Sequence, residues 1–137
     1  MYYTYRLPGC QRFVMANSDT DARRLDHYTA EQKTLAAKLS AIGFIWPGSI
    51  QVQWIKCGKP GCACAQDPQA RHGPYVHWTT KRDGRTVCRA LHSPEAEILA
   101  QWVENRREMD RIVSQMKEVS QRALSVMLRM RRREMKP

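Results

Sequence analysis

Residues 57–64 read Cys57-Gly-Lys-Pro-Gly-Cys62-Ala-Cys64, and His72 completes the spacing C-x4-C-x-C-x7-H. Three thiolates and one imidazole make a closed tetrahedral zinc set, and the small residues between the cysteines suit a short loop around one ion. The chain has 5 cysteines, an odd number, which in a reducing compartment favours a metal over disulfides. The spacing therefore predicts one structural Zn2+, with free thiols or a redox cluster as the alternatives.

The cysteine spacing alone does not identify the fourth ligand of the metal. His72 leads because Gly73-Pro74 would turn the chain back directly after it. His77, on the following strand, and Cys88, on the far strand of a hairpin, are the alternatives. The remaining candidates, which we expect to be a stray thiol, a helix-surface histidine and a strand-end residue, are Cys10, His27 and His92.

The sequence around the cysteines alternates as a small sheet does. Residues 49–56 place Ile50, Val52 and Trp54 between polar neighbours, which predicts a strand with one buried face. Residues 74–80 and 85–91 are two further β-prone runs, joined by a turn that contains Asp83-Gly84. A three-stranded sheet of this size is rarely stable without a disulfide or a bound metal, and a zinc ion would stabilise it.

A helix is predicted on each side of this sheet. The first, residues 19–45, repeats apolar side chains at steps of three and four and ends at Gly43 and Pro47-Gly48. The second, residues 93–131, starts at Ser93-Pro94-Glu95, an N-cap followed by a proline and an acid. Its heptad pattern gives two series of positions, here called the seams, at which the helix would contact a partner helix. Asn105 is the one polar member of the seams, and we expect it to fix the register between the two helices. Those seams are Trp102, Met109, Met116, Ala123, Met130 and Ile98, Asn105, Ile112, Val119, Val126.

The predicted fold class is therefore α+β: an antiparallel helical hairpin with a zinc-stapled, three-stranded β insert. Its segments are a flexible arm (1–18), a helix (19–45), a zinc-binding β region (46–92), a long coiled-coil-like helix (93–131) and a basic tail (132–137). The first helix is too short to cover the second, and we expect it to cover roughly Glu95 to Gln115. The apolar residues beyond then predict a homodimer seam, with the N-terminal arm, a foreign partner or a frayed end as alternatives. Met15 is an alternative start to Met1.

Several short stretches of the chain resemble one known family. They are Pro47-Gly48-Ser49, Cys57-Gly58-Lys59-Pro60-Gly61-Cys62-Ala63-Cys64-Ala65, His72-Gly73-Pro74-Tyr75, Gly84-Arg85-Thr86 and Asn105-Arg106-Arg107. Together they resemble an uncharacterised prokaryotic family of domains of unknown function with a zinc-knuckle-like CGKPxCxCA...HGPY core, over roughly residues 46–124. The resemblance implies that His72 is the fourth ligand, since Cys88 lies outside the shared pattern. It also implies an association with mobile-element and recombinase genes, and it carries no assigned activity.

The charge of the chain favours nucleic acid as a partner. Lys and Arg number 23 against 13 Asp and Glu, a net charge of +10, and the cations of the middle region alternate with aromatic residues. Cations contact phosphate and aromatic rings stack on bases. The predicted contacts are Lys56, Lys59, Arg71, Lys81, Arg82, Arg85, Arg89, Arg131, Arg132 and Arg133. In the alternative interpretation, which we favour for the tryptophans, Trp54 and Trp78 are core residues of the sheet.

Other function classes have little support. The chain has no HExxH, P-loop or GxSxG motif, and its cysteine spacing differs from that of zinc deaminases. We therefore predict no enzyme, with a thiol nucleophile (Cys88 or Cys10, beside His77 or His92) as the catalytic alternative. No uncharged apolar run of membrane-spanning length and no secretory leader is present, so the expected location is the cytoplasm and no membrane role is predicted.

These observations predict a zinc-containing nucleic-acid-binding accessory protein, with DNA as the expected ligand, that dimerises through its C-terminal helix. The alternative is a coiled-coil protein-interaction adaptor with a structural zinc and no nucleic-acid role. In that case the methionine-rich part of the long helix binds a partner such as a recombinase or a transposase.

Overall fold

The computed structural model describes the backbone of residues 10–136 and the side chains of residues 19–136. The elements are α1 (Cys10–Ser40), β1 (Ser49–Ile55), β2 (His72–Arg82), β3 (Arg85–Leu91) and α2 (Ser93–Glu134). Two short 3-10 helices, Ala63–Ala65 and Pro68–Ala70, lie between β1 and β2. The predicted α+β class, with an N-terminal helix, a three-stranded antiparallel sheet and a long C-terminal helix, is confirmed.

The chain divides into two compact units. Residues 42–110 form the sheet unit, which contains all three strands and the first part of α2. The helix unit combines α1 with the part of α2 that begins at Arg111. Each unit has its own buried residues.

The core of the sheet unit lies between one face of the sheet and α2. The strand order is β1-β2-β3, so β2 is central and antiparallel to both neighbours. Directly paired residues point to the same side of a sheet, which places Trp78, Ile50 and Arg89 on one face, here called the inner face. The buried residues of this core are Trp78, Leu91, Ala96, Leu99 and Val103.

The segment between α1 and β1 is tied to α2 within the sheet unit. The backbone amide of Trp46 donates to the carbonyl oxygen of Trp102 at 3.0 Å, and Asn105 Nδ2 donates to the carbonyl oxygen of Phe44 at 2.8 Å. Asn105 therefore holds this segment in place. That contact gives the single polar seam residue a role inside the sheet unit, and the expected register role between helices stays a prediction.

The helix unit pairs α1 with the C-terminal part of α2. Asp21, near the start of the described side chains of α1, is 3% exposed and accepts hydrogen bonds from Arg129 (3.3 Å) and Arg133 (2.9 Å) of α2. At the other end of α1, Leu35 shares a groove with Val119. The two helices are therefore antiparallel in this unit, and the buried apolar residues between them are Leu35, Ile112, Val119 and Val126.

This pairing corrects the expected position of the first helix. The prediction that α1 covers Glu95 to Gln115 is wrong, because the inner sheet face already occupies Ala96, Leu99 and Val103. As a result α1 packs on the later part of α2. Most of the stripe that was expected to need another partner is then buried or half-buried inside the chain, at Met116, Val119, Ala123, Val126 and Met130, while Met127 stays exposed.

Two local predictions also change. Ile98, a predicted seam residue, is exposed, since α2 presents Leu99 and Val103 to the sheet instead. In β1 the predicted buried face holds only for Ile50, which is half-buried, whereas Val52 and Trp54 are exposed. β1 is an edge strand, and the buried core lies over β2 and β3.

The helix boundaries extend beyond the predicted ones. α1 begins at Cys10, so residues 10–18 of the predicted arm are helical, and residues 1–9 lie outside the described residues. Pro8 and Gly9 come directly before this helix, and no further proline or glycine interrupts the chain up to Gly43. α1 ends at Ser40, before the predicted residue 45. α2 continues to Glu134, and the first three residues of the predicted basic tail are therefore helical.

Candidate metal centre

The three cysteines lie on the loop that closes the β1–β2 hairpin. The ladder between these strands ends at the pair Ile55 and His72, so residues 56–71 leave and re-enter the sheet at one place. Cys57 follows the last pair by two positions, and His72 is itself in the pair. The pairing of β1 with β2 alone therefore brings Cys57 and His72 near each other.

Tight turns bring the other two cysteines back to this point. Gly58 and Gly61 have φ values of 71° and 78°, a left-handed conformation that glycine adopts without a steric cost. The amide of Cys62 donates to the carbonyl oxygen of Lys59 at 3.3 Å, and that of Ala65 donates to Cys62 at 3.1 Å. The loop thus turns twice in eight residues, which folds Cys62 and Cys64 inward.

The four ligand atoms have the spacing of a tetrahedral metal site. The Sγ atoms of Cys57 and Cys64 are 3.6 Å apart, Cys62 Sγ lies 3.3 Å from His72 Nε2, and all four atoms lie within 4.8 Å of one another. Bonds of about 2.3 Å to sulfur and about 2.0 Å to nitrogen give tetrahedral edges of about 3.8 Å between two sulfurs and about 3.5 Å between sulfur and nitrogen. The residues sit close enough to hold one metal ion.

A disulfide does not explain the cluster. A sulfur–sulfur bond is about 2.05 Å long, far shorter than the 3.6 Å between Cys57 and Cys64, and both are free cysteines. Cys64 is 1% exposed, and its Sγ accepts a hydrogen bond from the backbone amide of Cys57 at 3.4 Å. Such a bond to sulfur orients a ligand from outside the metal's own coordination sphere.

Gly73 allows β1 to approach next to the histidine ligand. A side chain at this position would have its Cβ 2.8 Å from the carbonyl oxygen of Gln53 and 3.1 Å from the ring of Trp54, at a φ of 151°. Only glycine fits between His72 and the strand without displacing one of them.

The alternative ligands belong elsewhere. His77 and Cys88 lie on β2 and β3, with 3.9 Å between His77 Nδ1 and Cys88 Sγ, and neither is part of the four-residue cluster. The side chain of Cys10 lies outside the described residues. His27 is on the exposed surface of α1, and His92 is an exposed residue between β3 and α2.

Comparison with known proteins places this site in a family. The model of a family described as "Domain of unknown function (DUF6788)" matches residues 25–101, which is more than half of the chain. The chain belongs to this family. The DUF6788 match contains all four residues of the cluster and the whole sheet. No curated protein and no solved structure matches the chain.

The predicted basic contacts fall into separate groups. Three exposed cations lie on or beside the cysteine loop, here called the loop-end cations: Lys56, Lys59 and Arg71. Three others lie at the β2–β3 turn, here called the tip cations: Lys81, Arg82 and Arg85. Because β2 has 11 residues at about 3.3 Å each, the groups are separated by about 33 Å along the strand. In the described part of the chain neither group forms an ion pair.

The other predicted cations have partners or lie on the helix. Arg89 is on the inner face, where it pairs with Glu95 at 2.7 Å and lies 6.0 Å from the ring centroid of Trp78. Arg133 pairs with buried Asp21 at 2.9 Å. These two arginines are therefore committed to contacts within the chain. Arg131 and Arg132 are exposed near the end of α2.

The two tryptophans of the sheet have different surroundings. Trp78 is 6% exposed, and its Nε1 donates to the carbonyl oxygen of Pro47 at 2.8 Å, so the expected core role is confirmed for this residue. Trp54 is 54% exposed, and the same expectation is wrong for it. Trp54 lies at the end of β1 next to the cysteine loop, and it is not part of the buried core. Tyr75, at the same end of the sheet, is 45% exposed.

Two glutamines on the other side of the sheet, Gln51 and Gln53, were not singled out from the sequence. Gln51 and Gln53 are exposed and pair with His77 and Tyr75 across the β1–β2 ladder. The alternation that predicted the inner face also assigns these residues to the opposite face. The alternation of the strand residues therefore already indicated this candidate contact surface, although glutamines are common on solvated strands.

Among the described helices, none combines the length and the apolarity needed to span a membrane.

Proposed function

We propose that the protein is a zinc-containing nucleic-acid-binding protein, with Zn2+ in a structural role at Cys57, Cys62, Cys64 and His72. Three thiolates and one imidazole favour zinc over the harder cations that prefer oxygen ligands. Four protein ligands complete a tetrahedron and leave no open position for a substrate, which is the arrangement of structural rather than catalytic zinc. The ion would join the two strands that the cysteine loop separates.

The observation that carries the nucleic-acid role is the exposure of two aromatic rings beside the loop-end cations. Trp54 and Tyr75 are about half exposed, although burial would have removed a large apolar area from water. An aromatic ring next to lysine and arginine offers a stacking surface and a phosphate contact together. This pairing favours nucleic acid over a surface that is basic for solubility alone.

Two further parts of the proposal rest on other grounds. An accessory role beside a mobile element or a recombinase is supported by the family resemblance of the cysteine and HGPY motifs. A homodimer through α2 is supported by exposed Leu124, Met127 and Leu128. A cytoplasmic location is supported by the cysteine usage, because reduced thiols are needed to bind the ion.

The loop-end cations are expected to carry much of the affinity. In the variant Lys56→Gln/Lys59→Gln/Arg71→Gln, the logarithmic salt dependence of binding to a random-sequence DNA duplex should fall by about three, since each lost phosphate contact lowers it by about 1. Affinity at low salt should fall more than about tenfold. The measurement is fluorescence anisotropy of the labelled DNA across a range of salt concentrations, with the zinc content of each sample determined first.

The matched control is Lys33→Gln/Lys38→Gln/Lys117→Gln, which removes the same charge from exposed positions on the helices. Its salt dependence should stay near that of the parent protein. If both variants lose affinity equally, binding depends on net charge and the loop-end assignment is wrong. A parent protein that shows no salt-dependent binding contradicts the nucleic-acid function itself.

One observation favours the alternative function of a protein-interaction adaptor. Leu124 and Met127 are each 55% exposed on α2, and exposed apolar side chains on a helix are typical of a surface for a partner helix. In this case a recombinase or a transposase would bind α2. Substitution Met127→Gln would then abolish association with that partner, and the parent protein would show no salt-dependent binding to DNA, which analytical ultracentrifugation and anisotropy together measure.

A further inference from the structure

The face of the sheet opposite the buried core has a distinctive composition. Register pairs Gln51 with His77 and Ala90, and these residues point away from the face that holds Trp78. This outer face is formed by Ser49, Gln51, Gln53, Tyr75, His77, Thr79, Lys81, Thr86, Cys88 and Ala90. It contains amides, hydroxyls, one imidazole, one phenol and one ammonium group. No carboxylate belongs to it, in a chain with 13 Asp and Glu.

The outer face is open to solvent within the sheet unit. Its residues on the edge strands are exposed or half-exposed, and on the central strand His77 and Thr79 are half-buried between their neighbours. Lys81 and Thr86 share a shallow pocket with Ser49 and Thr79, whose hydroxyl groups are 2.8 Å apart. Hydroxyl and ammonium donors that converge in this way suit a phosphate group.

Cations lie at the two ends of this face. The loop-end cations flank the start of β2, and Lys81 lies on the face near the end of β2, whereas the register pair of Arg82 and Arg85 belongs to the inner face. A ligand that contacts both ends must be extended, anionic along its length, and about 33 Å long if it follows β2 at about 3.3 Å per residue. The amide and imidazole groups between the ends suit hydrogen bonding to base edges, and Tyr75 suits stacking.

We propose that a single strand of DNA lies along β2 on the outer face, with its phosphates on the loop-end cations and Lys81 and its bases against Gln51, His77 and Tyr75. The inference rests on the proposed nucleic-acid function and adds the surface and the form of the ligand. A duplex fits less well. The two edge strands are about 10 Å apart at the usual strand spacing of about 4.8 Å, so with its side chains the face is too wide to lie flat in a major groove about 12 Å across.

A charge placed in the centre of the face tests this surface. Gln51→Glu keeps the size of the side chain and adds one negative charge opposite His77, and it should weaken binding of a labelled oligothymidylate about tenfold at low salt. Gln121→Glu adds the same charge to an exposed position on α2 and should leave affinity within about twofold of the parent. Equal losses in the two variants, or no loss in Gln51→Glu, would overturn the inference.

Cys88 provides a footprint of the bound strand. It is exposed in the middle of the outer face, and the other described cysteines belong to the metal cluster. In a zinc-loaded Cys10→Ser background, saturating oligothymidylate should slow alkylation of Cys88 by iodoacetamide more than about fivefold, because bound bases cover the thiol. A cysteine introduced by Ser114→Cys on α2 should be alkylated at the same rate with and without DNA. Unchanged alkylation of Cys88 would place the strand elsewhere.

Competition experiments separate this inference from the function on which it depends. The oligothymidylate should displace labelled duplex at a concentration more than about tenfold below that of unlabelled duplex. Salt-dependent duplex binding without this preference, and without any effect of Gln51→Glu, refutes the outer face and leaves the nucleic-acid function in place. A preference of the same size for oligouridylate over oligothymidylate would overturn the assignment to DNA. Absence of binding to every probe refutes both proposals.

Discussion

Removal of the metal is expected to unfold the sheet unit. The apolar core of this unit is small, with five buried residues from β2, β3 and α2, and the loop of residues 56–71 contains no strand. Zinc bound to a closed thiolate set contributes an apparent free energy of about 10–16 kcal/mol in zinc-finger peptides, which equals or exceeds the net stability of about 5–15 kcal/mol of a typical domain. A chelator should therefore abolish the β signal in circular dichroism.

The variant Cys64→Ser should have the same effect, because Cys64 is the buried member of the cluster. Its matched control is Cys88→Ser, which changes an exposed thiol outside the cluster. The control should bind one zinc ion and melt like the parent protein. A Cys64→Ser protein that retains full β content and cooperative melting would contradict a structural role for the metal.

The second large effect is expected from Trp78→Ala, which should lower the free energy of unfolding of the sheet unit by about 3–5 kcal/mol. The indole fills the centre of the core on the middle strand and packs near Trp46, with 6.1 Å between ring centroids. Its loss also leaves the carbonyl oxygen of Pro47 without its donor. Urea unfolding followed by circular dichroism measures the change in the zinc-loaded protein.

Two variants separate the causes of this loss. Trp78→Phe keeps an aromatic ring but removes the hydrogen bond to Pro47, and should cost about 1–3 kcal/mol. Trp54→Ala removes the same kind of ring from the exposed end of β1 and should change stability by less than about 1 kcal/mol, while it weakens DNA binding. If Trp54→Ala destabilises the protein as much as Trp78→Ala does, the division of the two tryptophans between core and surface is wrong.

Much of the site was predictable because its geometry is local. The three cysteines, the glycines between them and His72 lie within 16 residues, and the turns between the cysteines depend on nearby residues alone. The turn predicted at Gly73-Pro74 is wrong, because these residues lie inside β2. The structure brings together the four residues that the spacing and the family resemblance named. The same holds for the three strands and for the seam residues Ile112, Val119 and Val126, where periodicity and burial agree.

The contacts between distant segments were not predictable in the same way. The heptad pattern of α2 identifies an apolar stripe, but it does not say whether α1 or the sheet covers a given part of it. Ile98 satisfies the heptad and is exposed, whereas Leu99 is buried under the sheet. Trp54 and Trp78 show the same limit: both are aromatic residues in alternating strands, and only the position of α2 over β2 and β3 separates them.

The ion pairs of Arg89 and Arg133 also depend on tertiary structure. Both residues belong to basic stretches that suggest phosphate contacts, yet they form ion pairs with Glu95 and Asp21 within the chain. Asp21 is 112 residues from Arg133 along the sequence, and no local pattern connects them. The remaining loop-end and tip cations are consequently a more specific set of candidates than net charge alone provides.

X-ray absorption at the zinc edge, combined with elemental analysis of the purified protein, identifies the metal and its ligands. We expect one zinc ion per chain with three sulfur ligands at about 2.3 Å and one nitrogen ligand at about 2.0 Å. In His72→Ala the outer-shell scattering of the imidazole ring should disappear while the three sulfurs remain and a water oxygen takes the fourth position. A protein without stoichiometric zinc, or a His72→Ala spectrum that keeps the imidazole scattering, would contradict the proposed metal centre.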